Sequence, residues 1–345
     1  MPVKGIKCKN AENLSFSWKN FRTISCVLFI ISTIIDTGFT CYMVFDQPFQ
    51  FSKIEPVVFH IVLFLVILNL LKLSRKWNTM IKKWLRVEEI LPQYEKAAER
   101  TVLSRRINSI AIVFFMSALV EHLLSVISAI HFANYCPARK DPIESYLFSS
   151  SNQLFYVFDY NTIIAWLGKM ENVLLTFTWN FTDVFLMIIG VALSSKFQQV
   201  NDHLEKHKHE HKPQEFWEQS RIQYRRVCNL VEEMDDEVSM IVLLSFTNNL
   251  YFICMQFLKS INEMPSMAHA IYFYFSLGFL VGRTLAVSLY LADINDKSKI
   301  TLSIIRHVPE KTWCPELIRF CHEIRADLMA LSGMKFFNVT RKLVL

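Results

Sequence analysis

The sequence predicts an all-α polytopic membrane protein with six transmembrane helices and a cytoplasmic N-terminus. Three observations carry this. First, the 345 residues are 52% hydrophobic and 14% aromatic, yet 20% are charged, and the mean hydropathy is +0.26. Apolar and charged residues coexist at those levels only when they are segregated along the chain. Second, six apolar stretches of about 17–25 residues are long enough to cross the hydrocarbon core of a bilayer. Third, 31 of the 37 Lys and Arg fall on one side of the six-span arrangement, five fall on the other, and Arg283 lies inside the last span. Lys and Arg accumulate on the cytoplasmic side, which fixes the orientation.

The spans are 24–45, 57–73, 107–130, 172–193, 240–258 and 270–291. The first 20 residues are polar and basic, without the apolar core of a cleavable signal. The first span therefore serves as its own uncleaved signal. Residues 72–106 and 194–239 read as charged cytoplasmic connectors, the second broken near Pro213. Residues 1–291 form a transmembrane ligand-binding helical domain, and 292–345 a mixed, charged cytoplasmic tail. Residues 131–168 read as a long outer loop rich in aromatics, Ser, Asn and Pro.

Several chemistries are excluded or disfavoured. The basic residues alternate with apolar spans and form no single patch, so nucleic acid is not an expected partner. The sequence has no Gly-rich phosphate loop, no HExxH and no CxxC pair, so neither an enzyme nor a cofactor is indicated. His203, His207, His209 and His211 cluster in a highly charged connector and read as a solvated segment, not a metal site. Cys41 and Cys136 both stand toward the outside; unpaired thiols are the simpler reading, a disulfide the alternative. No outer loop carries a glycosylation sequon.

The fourth span, NVLLTFTWNFTDVFLMIIGVAL, carries the most informative pattern. At about 100° per residue, Asn172, Thr176, Trp179 and Asp183 fall within about 60° of one another. Leu174, Phe181 and Phe185 occupy the opposite, lipid-facing side. Ionisable groups at bilayer depth are expensive and mark cavities or pathways. The third span adds Glu121 and His122 in its outer half. The fifth offers Ser245, Asn249 and Gln256 on one stripe, flanked by Asn248 and Tyr251. The sixth offers Tyr272 and Ser276, with Arg283 deeper on the same face, either the counter-ion of Asp183 or a ligand contact. Together these faces wall a cavity open to the outside. Amides and carboxylates accept hydroxyl protons, and aromatic rings cover the C–H face of a sugar. A small polyhydroxylated ligand fits. Helix-to-helix hydrogen bonding is the simpler explanation for any single Ser or Thr.

Three long stretches, NFTDVFLMIIGVALSSKFQQVNDHLE, FWEQSRIQYRRVCNLVEEMDDEVSMIVLLSFTNNLYFICMQFL and IRADLMALSGMKFF, closely resemble the insect gustatory receptors, and within them the sugar-sensing branch. The resemblance runs from MPVKGI to the last residue. It implies a multi-pass receptor of the cell membrane of chemosensory neurons, gated by a sugar and conducting cations as a homo- or hetero-tetramer with other gustatory receptor subunits. It implies a ligand pocket in the outer half of each subunit, to which Glu121, His122, Trp179 and Asp183 correspond by position. Asn172, Thr176, Asn248, Asn249, Tyr251 and Tyr272 rest on the face argument alone. It also implies a lead before the first span and a seventh, pore-lining span after Leu345. A non-conducting modulatory subunit and a G-protein-coupled chemoreceptor are the competing readings. The cytoplasmic N-terminus speaks against the second. A transporter would show inverted repeats and Gly- or Pro-broken helices, whereas the chain has only 7 Gly.

Overall fold

Apolar periodicity does not stop at the edge of the bilayer. In the computed structural model, which describes residues 2–5, 14–48, 53–92, 97–135, 138 and 141–344, this makes the helices far longer than the spans. Among the described residues six helices are long and apolar enough to cross a membrane. They are α1 (Phe21–Phe45), α2 (Glu55–Ile90), α3 (Ala97–Tyr135), α6 (Thr162–His207), α7 (Gln214–Lys259) and α8 (Met267–Arg306). The 46 residues of α6 run about 70 Å at about 1.5 Å per residue, roughly twice the hydrocarbon thickness. Phe197, Val200 and Leu204 continue its buried face well past residue 193. In α7 the same role falls to Trp217, Tyr224, Val227, Val231 and Val238. The connectors at 72–106 and 194–239 are thus mostly inward extensions of the spans. Residue 291 likewise falls inside α8, which continues to Arg306.

The breaks have local causes. Leu91, in extended conformation, precedes Pro92 and ends α2, because a proline disfavours the helical region for the residue before it. Pro213 is the N-cap of α7, which starts at Gln214, the position the sequence suggests. The outer segment expected as a loop contains two short helices, α4 (Pro142–Ser150) and α5 (Asn152–Phe155). Asp141 caps α4 by accepting from Ile143 N at 3.1 Å, with Pro142 in the first turn. Asn161 caps α6 in the same way through Ile163 N at 2.8 Å, so α6 begins well outside residue 172. Cys136, the candidate partner of Cys41, lies outside the described residues.

Helix α6 is the centre of the bundle. Its closest neighbour is α8, and the contact is so tight at Gly190 that a Cβ there would stand 2.5 Å from the Tyr290 carbonyl oxygen. Small residues permit such backbone approach between membrane helices. On the side expected to face lipid, Leu174 is exposed, whereas Phe181 and Phe185 are half-buried. Phe181 and Phe185 stack on each other, and Phe185 meets Trp77 of α2. Below Asn180 the rest of the helix surface is enclosed, with Thr182, Val184, Leu186 and Met187 all buried. Exposed apolar residues are frequent on α1 and α3, such as Leu28 and Ile34 on α1 and Ile112, Val113 and Met116 on α3.

On the cytoplasmic side α9 (Pro315–Ala326) folds back onto α7. Arg221 meets Glu316 at 3.0 Å and Glu323 at 2.9 Å, and Arg225 meets Asp327 at 2.6 Å. A two-stranded hairpin of β1 (Ser332–Gly333) and β2 (Phe337–Asn338) follows, then α10 (Arg341–Val344). The hairpin is held to α7 by Asp235, whose buried carboxylate accepts from Ser332 N at 2.6 Å and Ser332 Oγ at 2.9 Å.

Candidate ligand cavity

The outer ends of α2, α3, α6, α7 and α8 splay around a cavity of about 530 Å³, roofed by residues of the α4–α5 segment. The volume lies within the roughly 300–1,000 Å³ of small-molecule sites. Of the residues singled out by sequence, Glu121, His122, Asn172, Thr176, Trp179 and Tyr272 line it. The stripe of α6 therefore faces the cavity for its outer three members. Its fourth member does not. Asp183 is fully buried and outside the lining.

Asp183 is a hub behind the floor. Its Oδ1 accepts from Ser245 Oγ at 2.5 Å and its Oδ2 from Asn249 Nδ2 at 3.1 Å, while Arg283 Nε stands 2.8 Å from Oδ2. Arg283 is thus its counter-ion, and the guanidinium also borders the cavity. Asn249 turns its other end to Trp179, accepting the indole N–H at 2.7 Å. Asn248 and Tyr251 also lie off the lining. The two polar side-chain atoms of Asn248 and the Tyr251 hydroxyl are buried with no hydrogen-bond partner among the described residues.

One wall is polar and continuous from α7 to α3. Gln256 Nε2 donates to Ser276 Oγ at 3.1 Å, and Ser276 Oγ donates to Glu121 Oε1 at 2.6 Å. The facing surface is aromatic: Trp179 and Phe252 have ring centroids 4.9 Å apart, with Phe59 6.1 Å from Phe252. Lys259 and Glu55 pair at 2.6 Å across the ends of α7 and α2, and both line the cavity.

Gln256 and Arg283, named on the faces of the fifth and sixth spans, also line it, and so do groups the sequence did not single out: Glu55, Phe59, His60, Gln153, Lys169 and Phe252. His60 is a polar residue within an apolar span, and that is the signal that could have added it. Gln153 gave none, because it comes from the outer segment, whose placement is tertiary. It donates to Asp36 Oδ1 at 2.9 Å, and His60 Nε2 lies 2.8 Å from Asp36 Oδ2. Asp36 on α1 thus ties the roof to the cavity wall.

The architecture is that of the insect olfactory receptors. The chain superposes on the solved structure of the insect olfactory receptor OR5 from Machilis hrabei with a TM-score of 0.73 at 12% identity, over 94% of this chain and 86% of that one. The complex of that receptor with eugenol gives a TM-score of 0.72, also at 12% identity, over 94% and 85%. A family model described as trehalose receptor matches residues 1–345. Relatives from Drosophila melanogaster include gustatory receptor for sugar taste 64f, 45% identical over the whole of this chain and 74% of that protein. Gustatory receptor 5a for trehalose is 44% identical, over the whole of this chain and 78% of that protein. Gustatory receptor for sugar taste 64a is 31% identical, over the whole of this chain and 77% of that protein. The chain belongs to this family of insect sugar gustatory receptors, and is a multi-pass membrane receptor, not an enzyme.

Proposed function

We propose that the cavity binds a sugar, with trehalose or a similar disaccharide as the first candidate, and that the chain is a subunit of a sugar-gated cation channel. The observation that carries this reading is the opposition of two walls in one cavity. The Gln256–Ser276–Glu121 chain offers acceptors for hydroxyl protons, and the Trp179–Phe252–Phe59 cluster offers apolar rings for C–H faces. His122, Asn172, Thr176 and Tyr272 complete the contact set, while Asp183 and Asn249 act from behind Trp179 and Arg283. Asn248 and Tyr251 belong to the helix packing of α7 and not to the contact set. The relatives' sensing of sugars and trehalose supports the ligand class.

We further propose assembly as a homo- or hetero-tetramer with other gustatory receptor subunits, a reading that the family membership supports. Gating follows from linkage: a ligand that favours the open conformation shifts the equilibrium by its difference in affinity for the two states.

The test is a calcium signal in cells that display the chain at their surface, alone and together with a second sugar gustatory receptor subunit. Trehalose and a panel of mono- and disaccharides are applied. A saturable response to at least one sugar is expected, weakened about tenfold by Glu121→Gln at unchanged surface display. Silence toward the whole panel in both settings, together with no sugar binding by the purified chain, overturns the reading.

A further inference from the structure

The most expensive side chain in the bundle is one that the sugar-binding reading does not by itself explain. Arg283 lies on α8 at bilayer depth with its side chain only 2% exposed. Breaking even with water is hard for a buried ion pair, and well-packed apolar residues of similar volume commonly serve stability as well or better. The cost points to a role beyond packing.

The guanidinium is fixed on every side that the protein can reach. Nε lies 2.8 Å from Asp183 Oδ2, and Nη1 donates to Asn180 Oδ1. The Trp179 ring centroid lies 4.7 Å from Cζ and that of Phe279 5.2 Å. Asp183 is itself immobilised by Ser245 and Asn249. An Arg carries five N–H donors. Among the described residues, Asp183 and Asn180 are the only polar partners of the guanidinium. Arg283 is also part of the cavity lining, together with Ser276 and Leu280 of the same helix. The charge is already balanced by Asp183, so the site does not demand an anion. The fork has more N–H donors than these two partners use, and a sugar hydroxyl or ring oxygen supplies neutral acceptors.

We propose that Arg283 is the donor that reads a ligand oxygen at the cavity floor, and that Asp183 is a positioning residue acting through it. This rests on the sugar-binding reading and deepens it. The polar wall at Glu121 accepts hydroxyl protons, while the floor at Arg283 donates to hydroxyl oxygens. The two ends therefore impose opposite requirements on the ligand. Asp183 itself is fully buried and outside the lining, so its carboxylate acts through Arg283.

Analogues of trehalose separate these requirements, because a deoxyfluoro sugar keeps an acceptor and loses the donor, whereas a deoxy sugar loses both. Binding of trehalose and its singly deoxy and deoxyfluoro derivatives is measured on the purified chain in detergent. In the wild type, one position should show a loss of about 10- to 100-fold on deoxygenation that fluorine largely restores. The charge-neutral double variant Asp183→Asn/Arg283→Met should unfold cooperatively near the wild-type temperature and lose that selective penalty. Arg283→Lys keeps the pairing with Asp183 and loses the planar fork, so it should bind trehalose at least about tenfold more weakly. It supplies the result if the double variant does not fold. An unchanged pattern of penalties in either folded variant overturns the role of Arg283 and leaves sugar binding standing. Absence of binding by the wild-type chain of trehalose and of every other sugar tried overturns both.

Discussion

Trp179 donates its indole N–H to Asn249 Oδ1 at 2.7 Å, and Asn249 passes the connection on to Asp183 at 3.1 Å. A ring that lines the cavity is thereby oriented by a residue that does not. The consequence is a difference between two kinds of substitution. Trp179→Leu removes the contact surface, and sugar binding should fall about 10- to 100-fold. Asn249→Leu leaves the ring in place but frees its orientation and strips one partner from Asp183. Binding should weaken by a smaller factor, about 3- to 10-fold. Titration of the purified variants with trehalose measures both. Unchanged binding in Asn249→Leu would show that Trp179 does not depend on Asn249.

Much of this arrangement is legible in the sequence, and the limits are physical. Six spans and their orientation follow from apolar length and the distribution of Lys and Arg. The stripe at Asn172, Thr176 and Trp179 follows from the helical period, because α6 is continuous α-helix there. The period cannot say what stands opposite a face. Asp183 shares that stripe, but one turn deeper the opposing surface is Ser245, Asn249 and Arg283 instead of the cavity. The same holds for Phe185, an apolar residue that meets Trp77 of α2 where lipid was the simpler expectation. The roof was not legible at all, since Gln153 reaches Asp36 across 117 positions of sequence.

Gly190 sets the distance between α6 and α8. A methyl group there would stand 2.5 Å from the Tyr290 carbonyl oxygen and 2.8 Å from its carbon. Backbone must move to admit it. Gly190→Ala should destabilise the chain by about 1–3 kcal/mol, read as a lower unfolding temperature in detergent. Because Arg283 lies on α8 and Trp179 on α6, the same variant should weaken trehalose binding without touching the cavity. The exposed-space glycines Gly278 and Gly282, where nothing lies within 4 Å of a Cβ, are the controls, and alanine at either should be tolerated.

Asp235 is the inner counterpart of Asp183, a buried carboxylate that holds another segment in place. It accepts from the backbone and hydroxyl of Ser332 and pairs with Lys335 Nζ at 2.5 Å. Asp235→Ala leaves the buried Ser332 N–H without a partner and should cost about 1–3 kcal/mol. Lys335→Met should cost far less, because the ammonium is mostly exposed and such pairs contribute little. The hydrogen bond to Asp235 raises the Lys335 pKa above its usual value. Its folded value therefore exceeds its unfolded one, and its contribution is fully present below about 10.4 and lost as pH rises through the folded value. The difference in unfolding temperature between wild type and Lys335→Met should be constant from about pH 6 to 8 and shrink only at strongly alkaline pH.

The roof should govern how long a ligand stays. Gln153 donates to Asp36 Oδ1, the other carboxylate oxygen faces His60 Nε2 at 2.8 Å, and His60 Nδ1 lies 2.7 Å from the Pro56 carbonyl oxygen. The ring contacts Phe39–Phe158 and Tyr42–Tyr156 fasten the same segment to α1. Gln153 and His60 both line the cavity, so the latch and the ligand share residues. Gln153→Ala removes the one polar tie between the roof and Asp36 while leaving the polar wall and the aromatic cluster intact. Contacts that hold a roof closed act mainly on dissociation, since association among related variants changes little. Trehalose should therefore leave Gln153→Ala about 3- to 10-fold faster, at a nearly unchanged association rate. Stopped-flow fluorescence on the purified chain separates the two rates. A change confined to association would mean that the segment guards entry and does not retain the ligand.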